Sequence, residues 1–208
     1  ETIEVHLNVL DEFQPKLGAS HQDCRFLFLG NASPAVQLDV LKQAKNAELT
    51  VADTMDLWIN IQRDELGELL QKIDGLVLND AEAKLLAEDE NLVRAGHTIL
   101  GMGPKFVVIK KGEHGAMFFS EHEMYVMPAF PTEKVLDPTG AGDSFAGGMM
   151  GPLASIGRFD PQALKEALAY GTVTASFTVE DFSLDRLEKL DRSMVDQRFK
   201  EYRQMLSF

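Results

Sequence analysis

Residues 137–148, with the sequence DPTGAGDSFAGG, place glycines, aspartates and a threonine between a strand-like segment and a helical one. Gly140 and Gly142 lack the Cβ atoms that would keep an anion away from the backbone. The helix that follows directs free N–H groups and a partial positive charge at the same place. Asp143 lies at the start of this helix, where a carboxylate can take a proton from a hydroxyl. These groups are what phosphoryl transfer to an alcohol requires.

Two other interpretations apply to any glycine turn before a helix. The turn can be a tight connection, and an aspartate in the first helical turn can be a favourable cap. A dinucleotide-binding fingerprint is disfavoured, because Phe145 stands where its third glycine belongs. A Walker A loop is disfavoured as well, because no Gly-Lys-Ser/Thr follows. A Rossmann-type oxidoreductase is therefore a weak hypothesis.

Asn79 and Glu82 form a second candidate site, since they lie three residues apart at the predicted start of a helix. An amide oxygen and a carboxylate on one side of that helix can hold water around Mg²⁺, which is usually bound through few protein ligands. The alternative is a capping box, in which the same two side chains only close the helix end. The local sequence leaves both open.

A third candidate follows a strand, where residues 110–115 read KKGEHG. Lys110 ends the strand, and Gly112 and Gly115 would let a purine or a phosphate lie against the backbone. The alternative is a hairpin turn with exposed lysines. We interpret His114 as a solvated turn residue.

The hydrophobic period changes repeatedly between two and 3.6 residues, and strands alternate with helices along the chain. This order predicts an α/β fold, with a doubly wound and mostly parallel sheet flanked by helices. Residues 2–10 alternate like a strand and form a possible appendage, a remnant of a lid strand (residues 1–10) before one nucleotide-binding domain over residues 11–208. The predicted strands are 25–29, 49–52, 75–78 and 105–110, with a hairpin at 115–120 and 124–126. The predicted helices are 34–46, 60–72, 81–88, 90–102, 143–156, 161–176 and 184–206.

Polar residues follow five successive predicted strands, in a class of sheet whose ligands bind at the carboxyl ends of the strands. They are Asn31, Asp53, Asn79, Lys110 and Asp137. Any α/β protein needs polar strand ends, so each residue alone says little. Their succession predicts a ligand site along this edge, with Asn31 and Asp53 as candidate substrate contacts.

The composition narrows the function classes. The chain has 208 residues and a formal net charge of −13, which disfavours non-specific binding to nucleic acid or to membranes. A nucleotide would need a local pocket rich in N–H groups together with a metal ion. Cys24 is the single cysteine, so we expect a structural thiol and no disulfide framework. With no apparent signal peptide or apolar span, the sequence predicts a soluble cytoplasmic protein.

The three motifs together resemble the ribokinase-like (PfkB) family of carbohydrate and nucleoside kinases. Residues 137–148 are similar to the C-terminal motif of that family, residues 79–82 to its N-x-x-E motif and residues 111–115 to its G-x-x-G turn. The motifs follow the family's order, and the resemblance extends from about residue 7 to residue 206.

The resemblance implies a role for each of these residues. Asp143 would be the general base, and the N–H groups of Gly140, Ala141 and Gly142 would form the anion hole for the γ-phosphate of ATP. Asn79 and Glu82 would organise Mg²⁺ through water. Three further residues would bind the nucleotide: Lys110, Gly112 and Gly115. A possible K⁺ site would include Asp137 and Thr139, although residues 175–183 lack the small residues of ribokinase itself.

The resemblance also implies a preceding N-terminal third that carries most acceptor-binding residues and most of the lid, and this sequence does not include it. We therefore expect ATP·Mg²⁺ binding to be weak and phosphorylation of a sugar or nucleoside to be poor in these residues alone. An alternative is a nucleotide-binding domain without turnover. We further expect an uncovered sheet edge to be shielded by residues 2–10 or by formation of a homo-oligomer.

Overall fold

The computed structural model describes residues 7–10 and 12–207. One sheet of six strands, in the order β1-β2-β3-β4-β5-β6, runs through it. The first four strands are parallel, and β5 and β6 continue the sheet as an antiparallel hairpin. The strands are β1 Phe26–Leu29, β2 Leu49–Asp53, β3 Gly75–Asn79, β4 Phe106–Lys110, β5 Ala116–Ser120 and β6 Met124–Met127.

Helices cover both faces of this sheet, as the alternation of the sequence predicted. They are α1 Ala19–Gln22, α2 Pro34–Gln43, α3 Asp56–Ile61, α4 Arg63–Leu70, α5 Asp80–Ala87, α6 Leu92–Leu100, α7 Ala141–Ile156, α8 Pro161–Thr178 and α9 Arg192–Met205. Three short 3₁₀ helices lie at Asn8–Leu10, Gly112–His114 and Leu187–Lys189. The doubly wound, mostly parallel α/β class is confirmed.

Two apolar cores lie on opposite faces of the sheet, because successive strand side chains point to opposite sides. Val51, Val77 and Val108 enter the core that packs against α7, α8 and α9. Leu78 and Ile109 enter the core on the other face, against helices from the first half of the chain. Strands buried on both faces read as continuous apolar runs, which is why the sequence revealed these segments.

Three predictions of secondary structure differ from the structure. Residues 1–6 of the expected lid strand lie outside the described residues, and Asn8–Leu10 form a 3₁₀ helix, with Asn8 at a left-handed φ of 50°. The predicted helix 60–72 is two helices, because Gln62 between α3 and α4 adopts a non-helical φ of −135°. The predicted helix 184–206 begins only at Arg192, where Asp191 accepts a hydrogen bond from the backbone N–H of Met194.

Strand β1 forms the sheet edge that we expected residues 2–10 or self-association to shield. Within the described residues β1 pairs with β2 alone, and three of its four residues are only half-buried. Residues 7–10 do not pair with it. Residues 2–6, the rest of the segment predicted to shield this edge, lie outside the described residues, and self-association stays a prediction.

Candidate active site at the carboxyl ends of the strands

The glycine turn ends directly on the N-terminus of α7. Gly140 is its N-cap, and a left-handed φ of 79° makes this position suited to glycine. The N–H of Ala141 donates to the carbonyl oxygen of Pro138 at 3.1 Å. The N–H groups of the first helical turn, which include those of Gly142 and Asp143, have no acceptor inside the helix. The turn therefore presents backbone donors and a helix dipole to the same space.

Lys110 brings a positive charge to this turn from the end of β4. A Cβ built on Gly142 would lie 3.0 Å from Nζ of Lys110, so glycine is what lets the ammonium approach the backbone. The same Nζ lies 3.3 Å from Oδ2 of Asp53, at the end of β2. Both side chains are largely shielded from solvent, at 18% and 8% exposure. An ion pair in this setting is strengthened by the low local dielectric.

The electrostatics of Asp53 show how closely these groups are coupled. Burial raises the pKa of Asp53 above its usual value, and the ammonium of Lys110 opposes that shift. The charge of Asp143 raises the pKa of Asp53 a little further. Asp143 itself is exposed in the first turn of α7, open to an incoming hydroxyl. Sequence alone did not reveal the coupling between the residues at 53 and 143.

Asn79 and Glu82 form the capping box that the sequence left as one alternative. Oδ1 of Asn79 accepts from the N–H of Glu82 at 2.8 Å, and Oε2 of Glu82 accepts from the N–H of Asn79 at 2.7 Å. Burial raises the pKa of Glu82 to about 7, while the hydrogen bond from Asn79 acts in the opposite direction. The charge of Asp53 adds to the rise, and Lys110 opposes it. Capping therefore does not isolate Glu82 from the strand-end charges.

This donor set fits a hydrated divalent cation. Two shielded carboxyl groups with raised pKa values, Asp53 and Glu82, face a single ammonium group. Added positive charge would favour their ionised forms. Within residues 7–10 and 12–207, no three or more acidic, histidine or cysteine side chains converge tightly enough to form a direct metal cage. Mg²⁺ commonly keeps several of its waters, so water-mediated binding by Glu82 and Asn79 is compatible with this geometry.

The second glycine turn links β4 to β5, and it has the hairpin form that was one of the two interpretations. The N–H of Lys111 donates to the carbonyl oxygen of Gly115 at 2.7 Å, around the 3₁₀ turn. Gly115 has a φ of 85°, and a Cβ there would overlap the carbonyl of Met127. Gly112 has open space around it. His114 is 73% exposed, as expected of a solvated turn residue.

The segment before the glycine turn is tied to the end of α8. Oδ1 of Asp137 accepts from the N–H of Thr139 at 2.9 Å, and hydrogen bonds from Thr139 lower the pKa of Asp137. The N–H of Leu136 donates to the carbonyl of Val179 at 2.7 Å. A Cβ on Gly140 would lie 4.0 Å from Cγ2 of Thr178. Residues 137–139 and the end of α8 thus lie together, where the resemblance implies a monovalent-cation site.

Asn31 is held beside the start of α3. Its Oδ1 accepts from Nε1 of Trp58 at 2.9 Å, and its Nδ2 lies 3.1 Å from Sδ of Met55.

Thr54, next to Asp53, has a buried hydroxyl without a hydrogen-bond partner among the described residues. The charge of Asp56 also raises the pKa of Glu82. The sequence analysis did not include Thr54 and Asp56 among the candidate site residues. Their position directly after a buried strand is the same signal that indicated Asp53.

Cys24 is a free, half-buried cysteine. Among the helices of the described chain, none combines the length and the apolar character needed to cross a bilayer.

The fold and this site define a doubly wound α/β protein with a glycine turn at a helix N-terminus and charged strand ends at one edge of its sheet. The model of the pfkB family of carbohydrate kinases matches residues 23–189, so the chain belongs to that family. The family prediction is thereby confirmed.

Individual relatives agree with this assignment. The chain is 32% identical over 133 residues to a cytidine kinase of Thermococcus kodakarensis, an alignment that covers 62% of this chain and 47% of that protein. The crystal structure of the Methanocaldococcus jannaschii nucleoside kinase superposes with a TM-score of 0.72 at 20% identity, covering 93% of this chain and 60% of that one. An E. coli ribokinase II in complex with ATP and Mg²⁺ gives 0.68 at 22% identity, covering 95% and 62%.

The chain thus spans between 47% and 62% of the lengths of these three proteins. Structural likeness at such identities shows the fold, while the choice of acceptor depends on individual side chains.

Proposed function

We propose that this chain forms the nucleotide-binding and catalytic part of an ATP-dependent kinase for a sugar or a nucleoside. The observation that carries the proposal is the approach of Lys110 to Gly142, beside Asp143 at the N-terminus of α7. A phosphate at this place would meet backbone donors, a helix dipole and an ammonium group. A carboxylate would be available to the attacking hydroxyl in the same first turn.

The chemistry follows from these positions. Asp143 accepts the proton of a hydroxymethyl group as its oxygen forms a bond to the γ-phosphorus of ATP. The bond from that phosphorus to the β,γ-bridging oxygen breaks, and ADP retains the electron pair. The N–H groups of residues 140–142 stabilise charge on the transferred phosphoryl group. Among them, the N–H of Ala141 becomes available when it gives up its 3.1 Å hydrogen bond to the carbonyl oxygen of Pro138 and donates to the anion.

Lys110 supplies a point charge near the phosphates, and Asp53 holds the ammonium in place. When bound, Mg²⁺ would neutralise part of the phosphate charge of ATP. Glu82 and Asn79 would hold its waters, although Oε2 of Glu82 and the single amide oxygen of Asn79 also accept the hydrogen bonds of the capping box. Gly112 leaves room for the nucleotide beside the β4–β5 turn, whereas the packing of Gly115 against Met127 supports the turn itself.

Two finer assignments belong to this proposal. Asp137 and Thr139 contribute to a K⁺ site beside the anion hole, supported by their closeness to the end of α8. Asn31 and Asp53 lie on the acceptor side, supported by their positions after β1 and β2. For Asp53, the ion pair with Lys110 favours the positioning role over direct acceptor contact.

A second candidate is a nucleotide-binding domain with little turnover. The observation in its favour is that the chain covers only 47% of the cytidine kinase to which it is similar. A domain that binds the nucleotide but does not orient the acceptor forgoes the effect of orientation, which alone can lower a barrier by ~7–11 kcal/mol.

Calorimetric titration and a transfer assay separate these candidates. The chain is titrated with ATP and ADP in Mg²⁺, with NAD⁺ as a negative control. Transfer of labelled γ-phosphate is then measured with cytidine, other nucleosides and ribose. Binding with transfer supports the kinase, and binding without transfer supports the second candidate. Failure to bind ATP, or preference for NAD⁺, would contradict both.

A further inference from the structure

The end of α8 carries a cluster of charged side chains that none of the site assignments uses. Glu180 follows the last turn of α8, and its two carboxylate oxygens bind two different arginines. Oε1 accepts from Nη2 of Arg198 at 2.7 Å, and Oε2 accepts from Nε of Arg186 at 3.1 Å. The three side chains are 17%, 16% and 26% exposed, in the order glutamate, Arg198, Arg186.

Arg198 fastens this cluster to α8 through two further contacts. Its Nη1 donates to Oγ of Ser176 at 3.0 Å. Its guanidinium carbon lies 3.4 Å from the ring centroid of Phe177, a close cation–π contact. Arg198 belongs to α9, so these contacts join α9 to the last turn of α8. The planar guanidinium makes this arrangement specific for arginine, because lysine offers neither the fork nor the stacking surface.

The cluster is adjacent in sequence to the residues that touch the glycine turn. Val179 immediately precedes Glu180, and its carbonyl accepts the N–H of Leu136 at 2.7 Å. Thr178 lies near Gly140, since a Cβ built on that glycine would be 4.0 Å from Cγ2 of Thr178. Residues 133–138 have no helix or strand structure and are mostly exposed, so their own packing constrains them little. The hydrogen bond to the end of α8 therefore restrains residues 133–138, which have few other restraints.

The placement of this cluster is unusual for structural stabilisation alone. An uncompensated carboxylate at a helix C-terminus is unfavourable, and two arginines offset it here. Shielded ion pairs add little net stability compared with apolar packing, yet removal of one partner leaves an unpaired charge. A cluster of this kind holds its elements in one geometry, which is what an anion-binding turn needs.

We propose that Arg198, Glu180 and Arg186 form a positioning cluster that sets the place of the glycine turn through the end of α8. The cluster touches neither nucleotide nor reacting atoms. It acts through the Leu136–Val179 hydrogen bond, with Thr178 placed close to Gly140. The inference rests on the proposed function for its consequence, a preorganised phosphate site, whereas its structural part is independent of it.

Amide hydrogen exchange tests the structural part directly. In Arg198→Met, which keeps an apolar side chain of similar length, we expect exchange at Leu136 and across residues 135–142 to accelerate about tenfold or more. Exchange in β2, β3 and β4 should stay unchanged. Arg192→Met is the matched control, because Arg192 lies on the same helix, pairs with Asp196 and stacks on Tyr170, but is 68% exposed. It should leave residues 135–142 unaffected.

Two conservative variants keep the test decisive if Arg198→Met loses its fold. Glu180→Gln keeps the size of the side chain and removes its charge, and we expect the same local acceleration. Arg198→Lys keeps the charge and should restore part of the protection. Unchanged exchange at residues 135–142 in folded Glu180→Gln would overturn the proposal, and so would acceleration of equal size in the β-strands.

The functional consequence is measured by ATP titration and, where transfer occurs, by the separation of kcat from KM. We expect ATP affinity to fall about threefold to tenfold in Arg198→Met and Glu180→Gln, with kcat falling more than KM rises. Local acceleration with unchanged ATP affinity and kcat would overturn the positioning role. If the unsubstituted chain binds no ATP, the proposed function fails, whereas the exchange result still decides whether the cluster restrains the turn.

Discussion

Lys105 lies just before β4 and Lys110 is its last residue, and each lysine pairs with an aspartate from an earlier part of the chain. At the amino end of β4, Nζ of Lys105 lies 2.7 Å from Asp74, and this lysine is 77% exposed. At the carboxyl end, Nζ of Lys110 lies 3.3 Å from Asp53, and the lysine is 18% exposed. The shorter ion pair is the one with the exposed lysine, so distance alone does not indicate which pair is shielded from solvent.

The surroundings of each pair explain the difference. The other oxygen of Asp74 accepts the backbone N–H of Thr50 at 2.8 Å, which fastens one strand to the next. Exposed ion pairs of this type contribute ~0–1 kcal/mol. The pair at the carboxyl end instead adjoins Gly142 and is coupled to Glu82. At the carboxyl edge, shielded charges gather beside a glycine that leaves the backbone accessible. At the amino edge, the aspartate links two strands and its lysine partner is exposed.

The largest expected difference between the two edges concerns Asp143. Asp143→Asn keeps the shape of the side chain and removes the base, so turnover should fall by at least ~10²-fold while ATP affinity changes only a few-fold. Asp74→Asn at the opposite edge should leave turnover unchanged. Steady-state kinetics on both variants measure the difference. Near-normal turnover in Asp143→Asn would remove this residue from the mechanism.

The two lysines permit a matched test of the comparison itself. Lys110→Met removes the charge beside the anion hole, so ATP affinity should fall about tenfold or more, since charge-assisted contacts to phosphate are strong. Lys105→Met should leave ATP affinity within about twofold, because its ion pair is exposed. Calorimetric titration with ATP·Mg²⁺ measures both. Equal losses in the two variants would show that the edges do not differ in function.

Gly142 offers a smaller perturbation of the same edge. The side chain of Gly142→Val would begin 3.0 Å from Nζ of Lys110 and would displace the ammonium from the turn. We expect ATP binding to weaken several-fold with the fold retained, because a β-branched residue is tolerated in a helix at a modest penalty. Gly147→Val, on the same helix with open space around its Cα, is the control. Unchanged affinity in a folded Gly142→Val would contradict the anion-hole assignment.

Glu82 should produce the smallest effect, visible mainly as a dependence on pH. Its pKa of about 7 in the folded chain exceeds the ordinary value of 4.5. The folded state therefore binds more protons than the unfolded state between these values, and this contribution to stability is present below about pH 4.5 and is lost as the pH rises through about 7. Mg²⁺ favours the ionised carboxylate, so Mg²⁺ affinity should rise over the same interval.

Glu82→Gln removes this titration and keeps the capping hydrogen bond possible. Denaturant unfolding measures the pH dependence of stability, and Mg²⁺ titration measures the pH dependence of Mg²⁺ affinity. Both are carried out between about pH 5 and pH 8, a range that includes the pKa of about 7. If the residue only caps α5, the change should be a loss of about 0.5–2 kcal/mol of stability or less, and the Mg²⁺ dependence should not move.

Local interactions explain why much of this site was predictable. The capping box joins residues three apart, and the glycine turn joins directly to α7, so short-range spacing already contains their geometry. Helix boundaries were less predictable. Gln62 divides an apolar pattern that reads as one helix, and the 3₁₀ helix at Asn8–Leu10 occupies part of an alternating run. Val9 and Leu10 are exposed, so burial does not hold them in the predicted strand, and the backbone angles of Gln62 interrupt the predicted helix locally.

The sequence by itself determined the order of strands and helices, the turn before α7 and the residues that follow each strand, because these depend on periodicity and on neighbours a few residues apart. Only the tertiary structure decided that Lys110 pairs with Asp53, 57 residues away, and approaches Gly142. It also decided which of the two lysines at the ends of β4 is shielded. Burial and long-range Coulomb interactions act through space, so no local pattern specifies the pKa of Glu82 or the charge balance at this edge.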